Sequence, residues 1–254
     1  MMLPQTPSFR LDGKRALVAG ASRGIGLGCA VALAEQGAQV VCAARGLDAL
    51  EESVAAMSEK GHSVEAAQLD VADPTELADF FASQPAFDAV VNSAGIARHA
   101  PALDTKIEDY QAVMDINVRG AFVVSAEAAR GMIAAGKPGS IIHISSQMGH
   151  VGGPERAVYC ASKHALEGMV KAMAIEWGEH RVRINTICPT FIRTPLGAMT
   201  LQDPEKRKWV ESKIKLGRVG EIEDVMGAVA YLASDASAMV TGTSLLIDGG
   251  WTAE

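Results

Sequence analysis

Arg15-Ala16-Leu17-Val18-Ala19, followed at once by Gly20-Ala21-Ser22-Arg23-Gly24-Ile25-Gly26, sets an apolar strand against a glycine-rich turn that opens a helix through Glu35. In a doubly wound α/β fold this is where a dinucleotide pyrophosphate rests, on the free N–H groups of a helix N-terminus. Glycine lets the backbone come close to the phosphates. The spacing is G-x-x-x-G-x-G rather than the general G-x-G-x-x-G. A plain tight turn is the bland alternative. The strand before and the helix after favour a cofactor loop made of Gly20, Ser22, Arg23, Gly24, Ile25 and Gly26.

Outward from this loop, short apolar runs alternate with helical patterns. The spacing predicts further strands at 39–44, 64–69, 87–92, 140–145, 182–188 and 243–248. Helices are expected at 47–60, 106–135 with a break near 115–117, 156–178, 200–212 and 221–232. Another should start at Pro74, with Asp73 as its cap. Near-continuous apolar strands between helices mean a parallel sheet covered on both faces. The expected fold is α/β: a Rossmann-like, doubly wound, seven-stranded parallel sheet. Residues 1–10 read as a flexible lead-in and 11–254 as one dinucleotide-binding catalytic domain.

The 254 residues carry a formal net charge of −7, which argues against a nucleic-acid partner. No apolar run approaches the roughly 20 residues of a membrane span, and no signal-peptide pattern precedes the first strand. Cys29, Cys42, Cys160 and Cys188 are scattered in apolar contexts, without the spacing of a zinc site or a disulfide framework. They read as buried thiols of a cytoplasmic protein that needs no metal.

The second strand ends Ala43-Ala44-Arg45, without the acid that usually binds an NAD ribose. Arg45 and Arg23 would instead suit a ribose 2′-phosphate through charge-assisted, bidentate hydrogen bonds. NADP(H) is therefore favoured, with NAD(H) as the alternative.

Tyr159 and Lys163 stand four apart in a helical segment, hence on one face. A free phenol has a pKa near ~10. A neighbouring ammonium lowers it and makes the phenol a general acid/base. Ser146 closes the run Ile141-Ile142-His143-Ile144-Ser145-Ser146, where a strand tip meets a loop.

Gly20-x-x-x-Gly24-x-Gly26, Asn92-Ser93-Ala94-Gly95, Asn117, Ser146 and Tyr159-x-x-x-Lys163 occur in this order. Together they resemble the short-chain dehydrogenase/reductase family, over residues 11–251. The resemblance implies Tyr159 as acid/base, Lys163 as its tuner and ribose ligand, and Ser146 as the group holding the substrate oxygen. Asn117 would support a proton-relay water at a helix break. Asp70 would contact adenine, and Asn92, Ala94 and Gly95 would line the cofactor. Pro189, Ile192 and Thr194 would clasp the nicotinamide carboxamide.

Pro189-Thr190 replaces the Pro-Gly of most members, and with Gln147 it resembles the L-xylulose/dicarbonyl reductase subgroup. Ala44 stands where that subgroup usually has a hydroxyl side chain. The implied substrate is a small polar carbonyl, a ketose or α-dicarbonyl, and its alcohol. The rivals are an NAD(H)-dependent dehydrogenase of a polyol or sugar acid and a non-catalytic cofactor-binding sensor. Substrate-facing candidates are Gln147, His150, Arg156, Phe191 and Trp209, beside Ser146. An inward-pointing Arg156 would favour a carboxylate unless Glu155 neutralises it. Ala161, Ala165, Gly168 and Ala172 make a small-residue stripe, and the resemblance implies a homotetramer.

Overall fold

The computed structural model describes residues 1–253, with backbone alone at 196 and 199; position 254 of the expected domain lies outside the described residues. The strands are β1 (Arg15–Ala19), β2 (Gln39–Ala44), β3 (Val64–Gln68), β4 (Ala89–Asn92), β5 (Gly139–Ile144), β6 (Val182–Pro189) and β7 (Ser244–Ile247). All pair in parallel, in the order β3-β2-β1-β4-β5-β6-β7. The helices are α1 (Gly24–Glu35), α2 (Leu47–Glu59), α3 (Pro74–Ser83), α4 (Ile107–Met114), α5 (Ala121–Ala134), α6 (Ala157–Trp177), α7 (Pro195–Leu201), α8 (Pro204–Lys213) and α9 (Glu223–Ala233).

Alternation along each strand divides the apolar side chains between two cores. Ala16 and Val18 of β1 face a cluster with Leu33 of α1, Leu50 of α2 and Val229 of α9. Leu17 and Ala19 face the opposite cluster, with Leu77 of α3, Val124 of α5 and Val170 of α6. Each fully buried Leu or Val contributes about 1.5–3 kcal/mol. The two cores fix the sheet between helical layers and hold the strand ends in register.

Asp73 caps α3 as expected, accepting from the Thr75 and Glu76 N–H groups. The expected helix at 200–212 is corrected to α7 and α8, which meet at Asp203. Asp203 accepts from the Glu205 and Lys206 N–H groups, and Pro204 takes the first helical position. A proline cannot continue the preceding helix. The break expected in 106–135 is a π-helical stretch, Asp115–Gly120, between α4 and α5. The end of the lead-in touches the body, where Phe9 meets Tyr231 and Arg10 donates to the Glu35 carbonyl oxygen. Among the described residues no helix is long and apolar enough to cross a membrane.

Candidate active site

The strand order reverses between β1 and β4, so their carboxyl ends open a crevice, the usual ligand position in such sheets. The glycine loop lies on one side and Asn92–Gly95 on the other. Gly20 has φ +83°, and a Cβ there would stand 2.8 Å from the Ala94 nitrogen. A Cβ on Gly26 would stand 2.0 Å from the Gly20 carbonyl oxygen. Both positions therefore exclude a side chain. Thr194 reaches over the loop, its Cγ2 3.6 Å from where a Cβ of Gly24 would be. Ile192 is buried and bridges to Gly220, and Pro189 ends β6 beside β7.

Arg23 and Arg45 are exposed at the crevice rim, and among the described residues neither is paired with a carboxylate. Ala44 is buried at the end of β2. Asp70 Oδ1 accepts from the Ala72 N–H at 2.9 Å, which shapes the turn after β3. Asn92 Oδ1 accepts from the Ala94 N–H at 3.2 Å and so sets the turn after β4. Its amide lies 3.4 Å from His143 Nδ1, whose other ring nitrogen is 2.7 Å from Ser125 Oγ. Burial pushes His143 down to about 3, so this ring is a neutral prop. The lone polar residue within an apolar strand run was its signal in the sequence.

Ser146, Tyr159 and Lys163 converge at the end of β5. Ser146 Oγ accepts from the Met148 N–H at 3.1 Å, leaving its own hydrogen for another acceptor. Lys163 Nζ donates to the Ile144 carbonyl oxygen at 2.9 Å and lies 5.7 Å from the centre of the Tyr159 ring. Burial pulls the lysine down to about 8, opposed by Cys188 and Glu167. The expected lowering of the Tyr159 pKa is corrected: it is raised, because burial outweighs the hydrogen bond with Ser146. Desolvation disfavours a phenolate, and the Lys163 ammonium is spent on a carbonyl oxygen. Asn117 sits in the π-helical stretch with its side chain on Ile96 and Ser162.

Arg156 is turned inward beside this group. It is 9% exposed, its guanidinium carbon is 5.5 Å from the Phe191 ring centre, and its charge acts on both Tyr159 and His99. One of its N–H groups donates to the Pro154 carbonyl oxygen, and among the described residues it has no ion-pair partner. Glu155 pairs with Lys206 instead, at 3.6 Å. Phe191 stacks on Trp251, which Trp209 meets edge-on at 5.4 Å. His99 lies edge-on to Tyr159 at 5.9 Å. Sequence reasoning missed His99 and Trp251, since neither stands in a motif.

Two substrate candidates, Gln147 and His150, lie in and just past the turn after Ser146. Gln147 is 1% exposed, and its Oε1 has no hydrogen-bond partner among the described residues. His150 is aimed at Glu167, with Nε2 4.0 Å from the carboxylate. Cys188 is buried as expected, yet its context is polar, because its thiol donates to Glu167 at 3.4 Å.

A family model described as enoyl-(acyl carrier protein) reductase matches residues 20–252. D-erythrulose reductase of Gallus gallus is 38% identical over 96% of this chain and 98% of its own. L-xylulose reductase of Bos taurus is 38% identical over 96% and 99%. A gluconate 5-dehydrogenase from Burkholderia cenocepacia, solved in complex with NADP and tartrate, is 36% identical, with a TM-score of 0.92 over 97% of this chain and 98% of that one.

Proposed function

Because the chain belongs to the short-chain dehydrogenase/reductase family, and is therefore an oxidoreductase, we propose that it interconverts a ketone and a secondary alcohol on a small polyhydroxylated substrate. The carrying observation is the convergence of Ser146, Tyr159 and Lys163 beside the crevice at the strand ends. NADP(H) supplies or takes the hydride. Its fit rests on the glycine loop, on the slots at Gly20 and Gly26 that a Cβ would fill, and on two guanidinium groups at the rim that have no carboxylate partner among the described residues. Arg23 and Arg45 would hold the 2′-phosphate, and Asn92, Ala94 and Gly95 would back the cofactor across the crevice.

The chain's own residues manage the proton. In reduction, the Tyr159 phenol gives its proton to the carbonyl oxygen as that oxygen becomes an alkoxide. The Ser146 hydroxyl donates to the same oxygen and orients it. A raised phenol pKa keeps the proton in place until that oxygen turns basic. The buried Lys163 ammonium then stabilises the phenolate left behind. In oxidation the same groups run in reverse.

Relatives named for erythrulose and xylulose support a neutral ketose, and an α-dicarbonyl would fit the same proton chemistry. Arg156 favours a second reading, a sugar acid. A buried guanidinium without a carboxylate partner is costly, and a substrate carboxylate would satisfy it bidentately. Glu155 pairs with Lys206 and acts on Arg156 only through its nearby charge, without forming an ion pair with it. NADP(H)-coupled assays with a pentulose, diacetyl and a keto-aldonate, on the intact enzyme and on Arg156→Gln, decide between them. A selective loss on the acid of about 10-fold or more supports the sugar-acid reading. Equal activity of both proteins on every substrate supports the neutral one. No turnover of any carbonyl would sink the oxidoreductase chemistry assigned to Tyr159.

A further inference from the structure

Glu167 is a charged residue only 5% exposed, one turn along α6 from Lys163. No motif in the sequence points to it. Its carboxylate collects donors from two strands. Thr186 Oγ1 on β6 donates to Oε2 at 2.9 Å, and Ser244 Oγ on β7 donates to the same oxygen. Cys188 Sγ on β6 donates to Oε1 at 3.4 Å. His150, just past the turn that follows Ser146, brings Nε2 to 4.0 Å. That turn packs directly on the helix, since a Cβ on Gly149 would stand 3.0 Å from Glu167 Cγ and 3.2 Å from the Lys163 carbonyl oxygen. Neutral hydroxyl and thiol donors stabilise a carboxylate without discharging it. A buried anion so placed is the natural counter-charge for a buried ammonium whose hydrogen bond goes to a neutral carbonyl oxygen.

We propose that Glu167 is a positioning residue for catalysis, which acts through Lys163 by holding it in the ammonium form and which ties the Ser146–His150 turn to α6. The proposal rests on the proton chemistry assigned above to Tyr159 and Lys163. Among the described residues, these groups surround the lysine. Glu167 and Tyr159 lie on its own helix, Cys188 on β6 and His143 on β5. His150 lies behind the carboxylate, and Asn117 Oδ1 is beside Gly95. Burial draws the lysine down to about 8, and Cys188 and Glu167 act against it. The Cys188 thiol is itself pushed up to about 12 by burial, so it offers the ammonium no counter-charge, and Glu167 is the carboxylate that acts on it.

The test compares the intact enzyme with Glu167→Gln, Glu167→Asp and Thr186→Val. Lys163 is followed by side-chain NMR titration in the protein without cofactor, and the pH profile of NADPH-linked carbonyl reduction is measured in parallel. Removing the anion lowers the lysine midpoint, so Glu167→Gln should move both the midpoint and the alkaline limb of the rate to lower pH by about one unit. Glu167→Asp, which draws the charge back by one methylene, should give a smaller shift in the same direction. It carries the test alone if Glu167→Gln does not fold. Thr186→Val removes a hydrogen bond and keeps the anion, so its midpoint should stay in place. An unmoved midpoint in the Glu167 variants, or an equal shift in Thr186→Val, overturns the proposal and makes the cluster purely structural. A midpoint that moves while the rate profile stays still supports the charge pairing and removes Lys163 from the proton chemistry above.

Discussion

Asn117 and Ile96 bind each other twice: the Asn117 Oδ1 accepts the Ile96 N–H at 2.9 Å, and its Nδ2 donates to the Ile96 carbonyl oxygen at 2.9 Å. The pair ties the π-helical stretch to the irregular segment that runs on from Gly95 after β4. Asn117→Ala leaves both Ile96 backbone groups without this partner. At about 1–3 kcal/mol for each group left unpaired, and at the low end because both are only part-buried, the variant should lose about 2–3 kcal/mol in urea denaturation, together with turnover. A loss below about 0.5 kcal/mol would show that Ile96 finds other partners.

Tyr159→Phe removes only the ionisable oxygen. Reduction should slow by at least about 10²-fold, with cofactor affinity nearly intact. In the intact enzyme the sign of the pH dependence follows from Lys163, drawn down to about 8. Below that pH the ammonium is present. Above it the charge is lost, and reduction should fall about tenfold for each further pH unit. Steady-state profiles of both proteins check the two statements together. Near-normal turnover in Tyr159→Phe would remove Tyr159 from the acid/base role.

The sheet was legible because most strands are short apolar runs, such as Val40-Val41-Cys42 and Ile141-Ile142, set between helical patterns. Helix boundaries were legible where a cap announced them, as at Asp73, and misread at 200–212, where the Asp203-Pro204 cap was not used. The catalytic group was legible because its spacing is local. What escaped was tertiary. His143 and Glu167 are polar residues whose partners lie on other strands and helices. Their meaning depends on contacts that no sequence period encodes. The direction of the Tyr159 shift also escaped, since proximity on a helix face says nothing of how deeply the phenol is buried.

The cofactor assignment gives a direct exchange of preference. Ala44→Asp with Arg45→Leu sets an anion at the end of β2 and deletes one of the two rim cations. A 2′-phosphate would then meet repulsion and lose a charge-assisted partner worth about 1.5–3 kcal/mol, or about 10- to 150-fold in affinity. The ribose hydroxyl of NADH would gain an acceptor. Kinetics with both cofactors should show NADPH weakened and NADH improved. A wild-type protein that prefers NADH would show that Arg23 and Arg45 are ordinary surface residues.

Of the small residues on α6, Ala161, Gly168 and Ala172 are exposed and Ala165 is half-buried, so the stripe is not spent on the chain's own sheet. A Cβ on Gly168 would meet nothing within 4 Å. Two large apolar side chains, Phe122 of α5 and Ile175 of α6, are 50% and 84% exposed. A second copy could bring a helix backbone close to such a face and cover both of them. We expect light scattering to find an oligomer at micromolar concentration, a tetramer by the family resemblance. Gly168→Arg with Ala172→Arg should break it. Replacing a helix-interior glycine favours the helix by about 0.5–1 kcal/mol, so lost assembly could not be ascribed to a damaged α6. Far-UV circular dichroism of the variant would confirm that the helix is intact. A monomeric wild-type protein, or a double variant that assembles normally, would place any interface elsewhere on the molecule.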